Sequence, residues 1–160
     1  MTVDIESLSA LQLLQLNAKI IARLKIIGAT RTSNATGDYA EHLCAKAFGW
    51  TLENNSNAGF DAVHDGVRVQ IKCRRPTISN PSRQLGEFSK FETKKFDLLA
   101  AVLFAEDFTV LRAAIIPWDV IDRLAYDVQG RRRFYLRDAV WHEPDVEDVT
   151  SALRGVQTAL

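Results

Sequence analysis

Gly59-Phe60-Asp61-Ala62-Val63-His64-Asp65-Gly66-Val67-Arg68-Val69-Gln70-Ile71-Lys72 sets two short extended runs on either side of an Asp-Gly pair. Asp-Gly is a hairpin signal, because both central positions of a type I′ turn take positive φ. A two-residue loop at Asp65-Gly66 pairs His64 with Val67, Val63 with Arg68 and Ala62 with Val69, and it sets Asp61 opposite Gln70. Side chains alternate across a strand. Lys72 therefore joins Asp61 and Gln70 on one face, while Phe60, Ala62, Val69 and Ile71 line the other. The expectation is a hairpin with one face in the core and its opposite face carrying chemistry.

Toward the N-terminus, Gly37-Asp38-Tyr39-Ala40-Glu41 opens a helix that runs to Phe48 and ends at Gly49, with Thr36 as its N-cap. Ala40, Leu43, Cys44, Ala47 and Phe48 form its apolar stripe. At ~100° per residue Glu41 falls on the flank of that stripe, within reach of a neighbouring sheet, and Asp38 on the far side, as a solvent or capping residue. Residues 29–36 read as a polar connector, in which Arg31 and Asn34 either contact a phosphate or cap the helix. Before it, Leu8, Leu11, Leu14, Ile20, Ile21, Leu24 and Ile27 recur near helical spacing and Gly28 follows, which predicts an amphipathic opening helix over residues 7–27. Such a helix either covers the core or serves a dimer, and core cover is the expectation.

Toward the C-terminus, residues 73–95 are basic and loop-like, and read as mobile. Residues 96–104 and 108–116 are apolar runs that would extend the sheet, with Pro117 closing the second. A short helix over 118–126, a short strand over 131–136 and a closing helix over 145–160 with acidic residues in its first turn complete the chain. The sum is one α/β domain over residues 1–160, with a central mixed sheet of about five strands flanked by helices. Residues 1–28 form the N-terminal helix, 36–117 the site-bearing core and 118–160 the C-terminal helix, strand and helix.

The 160 residues are 47% apolar, enough for one sizeable core. Lys and Arg number 20 against 20 Asp and Glu, so no global field draws the chain to a polyanion, and any such site is a local patch. Neither a signal peptide nor a membrane span is read, and two cysteines without CxxC spacing fit a reducing cytoplasm and no zinc site. His42, His64 and His142 lack metal-ligand or triad spacing, Cys44 and Cys73 read as inert, and Trp50, Trp118 and Trp141 as packing anchors.

Hydrolysis of a phosphodiester requires charge neutralisation on the phosphoryl group, an activated water and help for the departing alkoxide. Carboxylate and amide oxygens suit Mg²⁺, which takes one or two carboxylates and keeps several waters. Asp61 and Gln70 supply such oxygens from facing strands, and the Ile71 carbonyl between Gln70 and Lys72 adds another. Lys72 can hold the attacking water or stabilise developing charge.

Asp61 followed on the next strand by Gln70-Ile71-Lys72 resembles the PD-(D/E)XK, or restriction-endonuclease-like, nuclease superfamily, over residues 36–75 and the apolar strands that follow. Gln70 departs from the usual acidic residue. It keeps a carbonyl oxygen and loses a unit charge of metal attraction. Glu41, within Gly37-Asp38-Tyr39-Ala40-Glu41, is similar to the additional helical Glu of several branches. The resemblance implies a restriction-endonuclease-like fold and a Mg²⁺- or Mn²⁺-dependent DNA endonuclease of restriction, defence or repair. It further implies Asp61, Gln70, Ile71 and Glu41 around the metal, Lys72 as the catalytic cation, and in some members a homodimer. Arg74, Arg75, Arg83, Lys90, Lys94 and Lys95 lie just beyond the site, where a DNA backbone would run. Arg131-Arg132-Arg133 reads as an exposed turn. The competing readings are a catalytically inactive nuclease-like DNA-binding or assembly module, and an ordinary structural or partner-binding domain in which Asp61, Gln70 and Lys72 are surface coincidence.

Overall fold

The structure, a computed structural model, describes residues 3–54, 59–88 and 91–159. Ser9 opens α1 (Ala10–Ile26) with a reciprocal cap, its side chain accepting from Gln12 N while the Gln12 side chain accepts from Ser9 N at 2.8 Å. The second helix, α2 (Ala35–Phe48), starts earlier than its sequence suggests: the cap is Asn34, which accepts from Gly37 N at 3.1 Å, and not Thr36. Strands β1 (Thr51–Leu52), β2 (Ala62–His64) and β3 (Val67–Arg74) follow. Asp65 and Gly66 carry φ of 49° and 79°, as the two-residue turn demands, and Ala62↔Val69, Val63↔Arg68 and His64↔Val67 pair in the expected register.

The chain continues through β4 (Gln84–Phe88), β5 (Leu98–Phe104), β6 (Val110–Pro117), α3 (Trp118–Leu124), β7 (Tyr126–Val128), β8 (Arg131–Tyr135), β9 (Glu147–Asp148) and α4 (Thr150–Ala159). Among the described residues these make two sheets: a mixed six-stranded sheet in the order β1-β2-β3-β5-β6-β9, and a three-stranded sheet in the order β4-β8-β7. Only β3 and β5 are parallel neighbours in the larger sheet. The α/β class with a mixed sheet is as expected, and the second sheet is not.

Burial explains the arrangement. β5 reads Leu-Leu-Ala-Ala-Val-Leu-Phe and is buried on both faces, as an unbroken apolar strand at the middle of a sheet must be. Ala100, Val102 and Phe104 pack with Val69 and Ile71 against Leu43 and Cys44 of α2 and Leu153 of α4. Leu99, Ala101 and Leu103 face the other way, toward Leu85 and Phe88 of β4, Phe134 of β8 and Ile121 of α3. Phe60 joins this second cluster rather than the face of Ala62, because it lies ahead of β2, where strand alternation has not begun.

Four further expectations are corrected. The basic stretch from Cys73 is a loop only in part: residues 75–83 carry no regular element, but β3 continues to Arg74, and β4 pairs with β8 through Gln84↔Tyr135 and Phe88↔Arg132, because Leu85, Phe88, Phe91 and Phe96 anchor it in the core. Pro117 lies inside the end of β6, opposite Leu98, rather than beyond it. The acidic residues before α4 lie outside its first turn, and Asp148 instead accepts from Thr150 N at 3.0 Å. Helix α1 covers no core: it has no buried residue. No helix among the described residues is long and apolar enough to cross a membrane.

Candidate functional site

β2 is shorter than β3, and the site occupies the step between them. The ladder between the two ends at Ala62↔Val69, so past that point the edge of β3 has no strand partner on the β2 side. Asp61 fills the gap. Its N–H still donates to Val69 O at 2.8 Å, and its Oδ2 accepts from the Ile71 N–H at 2.7 Å and from Gln70 Nε2 at 2.5 Å. Because the N–H and C=O of a strand residue point to the same edge, the Ile71 carbonyl also faces this step. Gly59 sets the approach: its φ is 119°, and a Cβ there would lie 2.6 Å from Lys95 Cβ, so only glycine lets the backbone two residues before Asp61 pass Lys95 this closely.

Lys72 stands two residues beyond Gln70 on the same face, half-buried beneath β4, with Nζ 5.1 Å from the centre of the Phe88 ring. Burial holds its pKa below the usual lysine range, opposed by the Asp61 carboxylate. Burial pushes Asp61 above its ordinary carboxyl value, opposed by the Ile71 N–H and then by Lys72 and Arg31. Glu41 reaches the same place from α2: its pKa is raised first by burial and further by the charge of Asp61, while the Arg31 hydrogen bond pulls it down. Asp61 is thus the common neighbour, bonded to Gln70 and within electrostatic reach of Lys72 and of Glu41.

Arg31 is the member that sequence reasoning placed only loosely. Its guanidinium forms an ion pair with Glu41 and donates to Glu53 O at 3.1 Å. Asp38 holds it there. Expected in solvent or at a cap, Asp38 is only 6% exposed and accepts from the backbone of Arg31 at 2.7 Å, from Thr32 N and from the Thr32 hydroxyl, so the connector is folded back onto α2. Spacing along the chain gives no hint of that return. The one available signal was an isolated arginine in a connector with no acidic neighbour.

The oxygen donors fit a hard divalent cation. Asp61 has Oδ1 beyond the two bonds to Oδ2, Glu41 is the second carboxylate, and the Ile71 carbonyl faces the step. A half-turn of the Gln70 amide exchanges Nε2 for Oε1 at Asp61. Among the described residues no three of His, Cys, Asp and Glu gather as a metal-holding group. A cation at this step would draw on two carboxylates, an amide and a main-chain oxygen, a composition suited to one that retains several waters.

The basic residues expected along a DNA backbone do not form one patch. Arg74 Nε donates to Ser82 O at 3.0 Å, and Arg75 donates to Glu106 O at 2.6 Å and lies over the Phe108 ring, both at the C-terminal end of β3. Lys94, over the Trp118 ring, and Lys95, against Gly59, lie just before β5 at the other end of the β3–β5 ladder. About 17 Å of strand separates the two groups, five residues at ~3.3 Å each. Arg83 is paired with Asp138 at 2.8 Å, and Lys90 lies outside the described residues. Arg131 and Arg133 share Glu87, and Arg132 binds Asp122, so each arginine of that cluster has a carboxylate partner. Burial pushes the Cys44 and Cys73 thiols up to about 12, which leaves both as neutral thiols.

No protein-family model matches the chain, and no curated protein matches it.

Proposed function

We propose that this chain is a Mg²⁺- or Mn²⁺-dependent DNA endonuclease of the PD-(D/E)XK class with a restriction-endonuclease-like fold, serving restriction, another form of defence, or repair. One observation carries the reading. Asp61 is clamped across the β2–β3 step by Gln70 and the Ile71 N–H, with the Lys72 ammonium half-buried on the same face and Glu41 arriving from α2.

Asp61, Glu41, the Ile71 carbonyl and the rotated Gln70 amide would hold the cation. When bound, a divalent ion supplies a Lewis acid for the phosphoryl group and lowers the pKa of a coordinated water. Lys72, whose charge is weakly hydrated in its half-buried place, would donate to the attacking water or to a phosphoryl oxygen and so orient attack and offset developing charge. Arg31 exchanges the Glu41 carboxylate for a phosphate oxygen, which frees Glu41 for its ligand role. Lys94 and Lys95 at one end of the ladder, with Arg74 and Arg75 at the other, offer a backbone two separate contacts rather than one continuous track.

A second reading has its own support. With Gln70 donating to Asp61 and Arg31 paired to Glu41, each carboxylate of the cluster already has a protein donor. That arrangement also suits a nuclease-like DNA-binding or assembly module without catalysis.

Incubation of supercoiled plasmid and labelled single- and double-stranded DNA with Mg²⁺ or Mn²⁺ separates the two. Metal-dependent cutting by wild type, reduced at least 100-fold in Lys72→Ala, is the expected result. DNA binding with no cutting on any substrate would transfer the site to the inactive module.

A further inference from the structure

The exposed apolar face of α1 is a feature that the proposed site does not use. Leu14, Ile20, Ile21 and Ile27 are 67%, 48%, 46% and 51% exposed, and Leu13 joins them at 38%. At ~100° per residue, Leu13, Leu14, Ile20 and Ile21 fall within one arc of the helix, opposite Gln12, Gln15 and Lys19, and Leu24 and Ile27 continue it into a pocket shared with Tyr39, His42 and Phe108. Asn17 sits near the middle of that arc.

We propose that α1 pairs antiparallel with α1 of a second copy of this chain, about a two-fold axis at Asn17. The axis sets Leu13 against Ile21 and Leu14 against Ile20 of the partner, and joins the two Asn17 amides to each other. Such an interface is isologous and closes on itself. Each copy contributes a half-exposed aliphatic strip over ~25 Å of helix, and two strips together supply area on the order of the ~1,000 Å² that a specific interface requires.

Charge fixes the direction. Asp4 and Glu6 precede the helix, whereas Arg23 and Lys25 end it, with Lys19 a turn earlier. None of the five forms an ion pair among the described residues. An antiparallel pair brings the acidic end of one copy to the basic end of the other and opposes the helix dipoles favourably. A parallel pair would put like charges together. Lys and Arg beside an apolar arc also suit an anionic membrane surface, but that occupant would bury the Asn17 amide without a partner, whereas the two-fold supplies one. The pairing stands independently of whether the Asp61 site cuts DNA.

Light scattering and sedimentation of the full chain test the mass, and single cysteines test the geometry. The wild type is expected at twice its 17.9 kDa. Leu14→Glu/Ile21→Glu is expected to be monomeric with its far-UV spectrum retained, since α1 buries nothing in the core. Under mild oxidation Asn17→Cys should cross-link to its own copy. Leu13→Cys should not, because an antiparallel pair holds the two copies of that position ~12 Å apart, beyond disulfide reach, yet it should cross-link when mixed with Ile21→Cys chains. If the double variant misfolds, the cysteine pattern still decides. A wild type that stays monomeric at 100 μM, self-linking of Leu13→Cys, or a monomer that binds phosphatidylserine vesicles through α1 would overturn the proposal.

Discussion

At the scale of the residue, the candidate site is a balance of two carboxylates and two cations in a half-buried step. Asp61 holds its proton more tightly in the folded chain than in the unfolded one, because burial outweighs the Ile71 N–H, Lys72 and Arg31. The protonated form is therefore the one that folding favours. Its contribution is fully present below the ordinary carboxyl range and is lost as pH rises through the raised folded value. Without metal, Asp61→Asn should melt up to a few degrees higher than wild type at pH 7, and the gap should close toward pH 3 in thermal scans followed by circular dichroism. A gap that widens with acid would contradict the burial account. Arg31→Gln removes a cation already seated on Glu41, so it should bind Mn²⁺ several-fold more tightly in the absence of DNA, as read by calorimetry. Asp61, Gln70 and Lys72 were legible in the sequence because a strand fixes the side of every residue once its register is known. Arg31 and Asp38 were not, because a chain reversal between a connector and the helix after it leaves no periodic trace.

Elements were legible in proportion to how local their causes are. The Asp65-Gly66 turn fixed the β2–β3 register from two residues, and the structure keeps the three pairs from His64↔Val67 to Ala62↔Val69, while Asp61 leaves the ladder and meets Gln70 through its side chain. Gly66 has φ of 79° and open space around a would-be Cβ, so Gly66→Val meets only backbone strain. A loss of ~1–2 kcal/mol in urea unfolding is the expected cost, with metal binding weakened to the extent that the register of Asp61 against Gln70 loosens. The stretch before β5 was misread because its basic residues dominate its composition. What builds β4 is instead the spacing of Leu85 and Phe88, whose partners Leu99 and Phe134 are distant in sequence. The helix over α2 was found and its cap misplaced by two residues, since Asn34 and Thr36 are both good caps and only the fold chooses between them.

For the whole molecule, the sequence conveyed one mixed sheet with helices, yet the chain builds two sheets and two apolar clusters on either side of β5. The second sheet follows from long-range pairing between β4 and β8, which no local pattern announces. It also lays Phe88 over Lys72, so the burial that lowers the lysine pKa is supplied by the part of the fold the sequence did not reveal. The central claim is that this assembly positions Asp61 to hold a divalent cation. The most direct measurement is the titration of Mn²⁺ into wild type and Asp61→Asn, with and without duplex DNA, following the free-ion signal by electron paramagnetic resonance. Wild type should remove Mn²⁺ from solution, more strongly with DNA present, and Asp61→Asn should leave the signal close to that of buffer. Equal binding by the two proteins, or no binding by wild type even with DNA, would contradict the account.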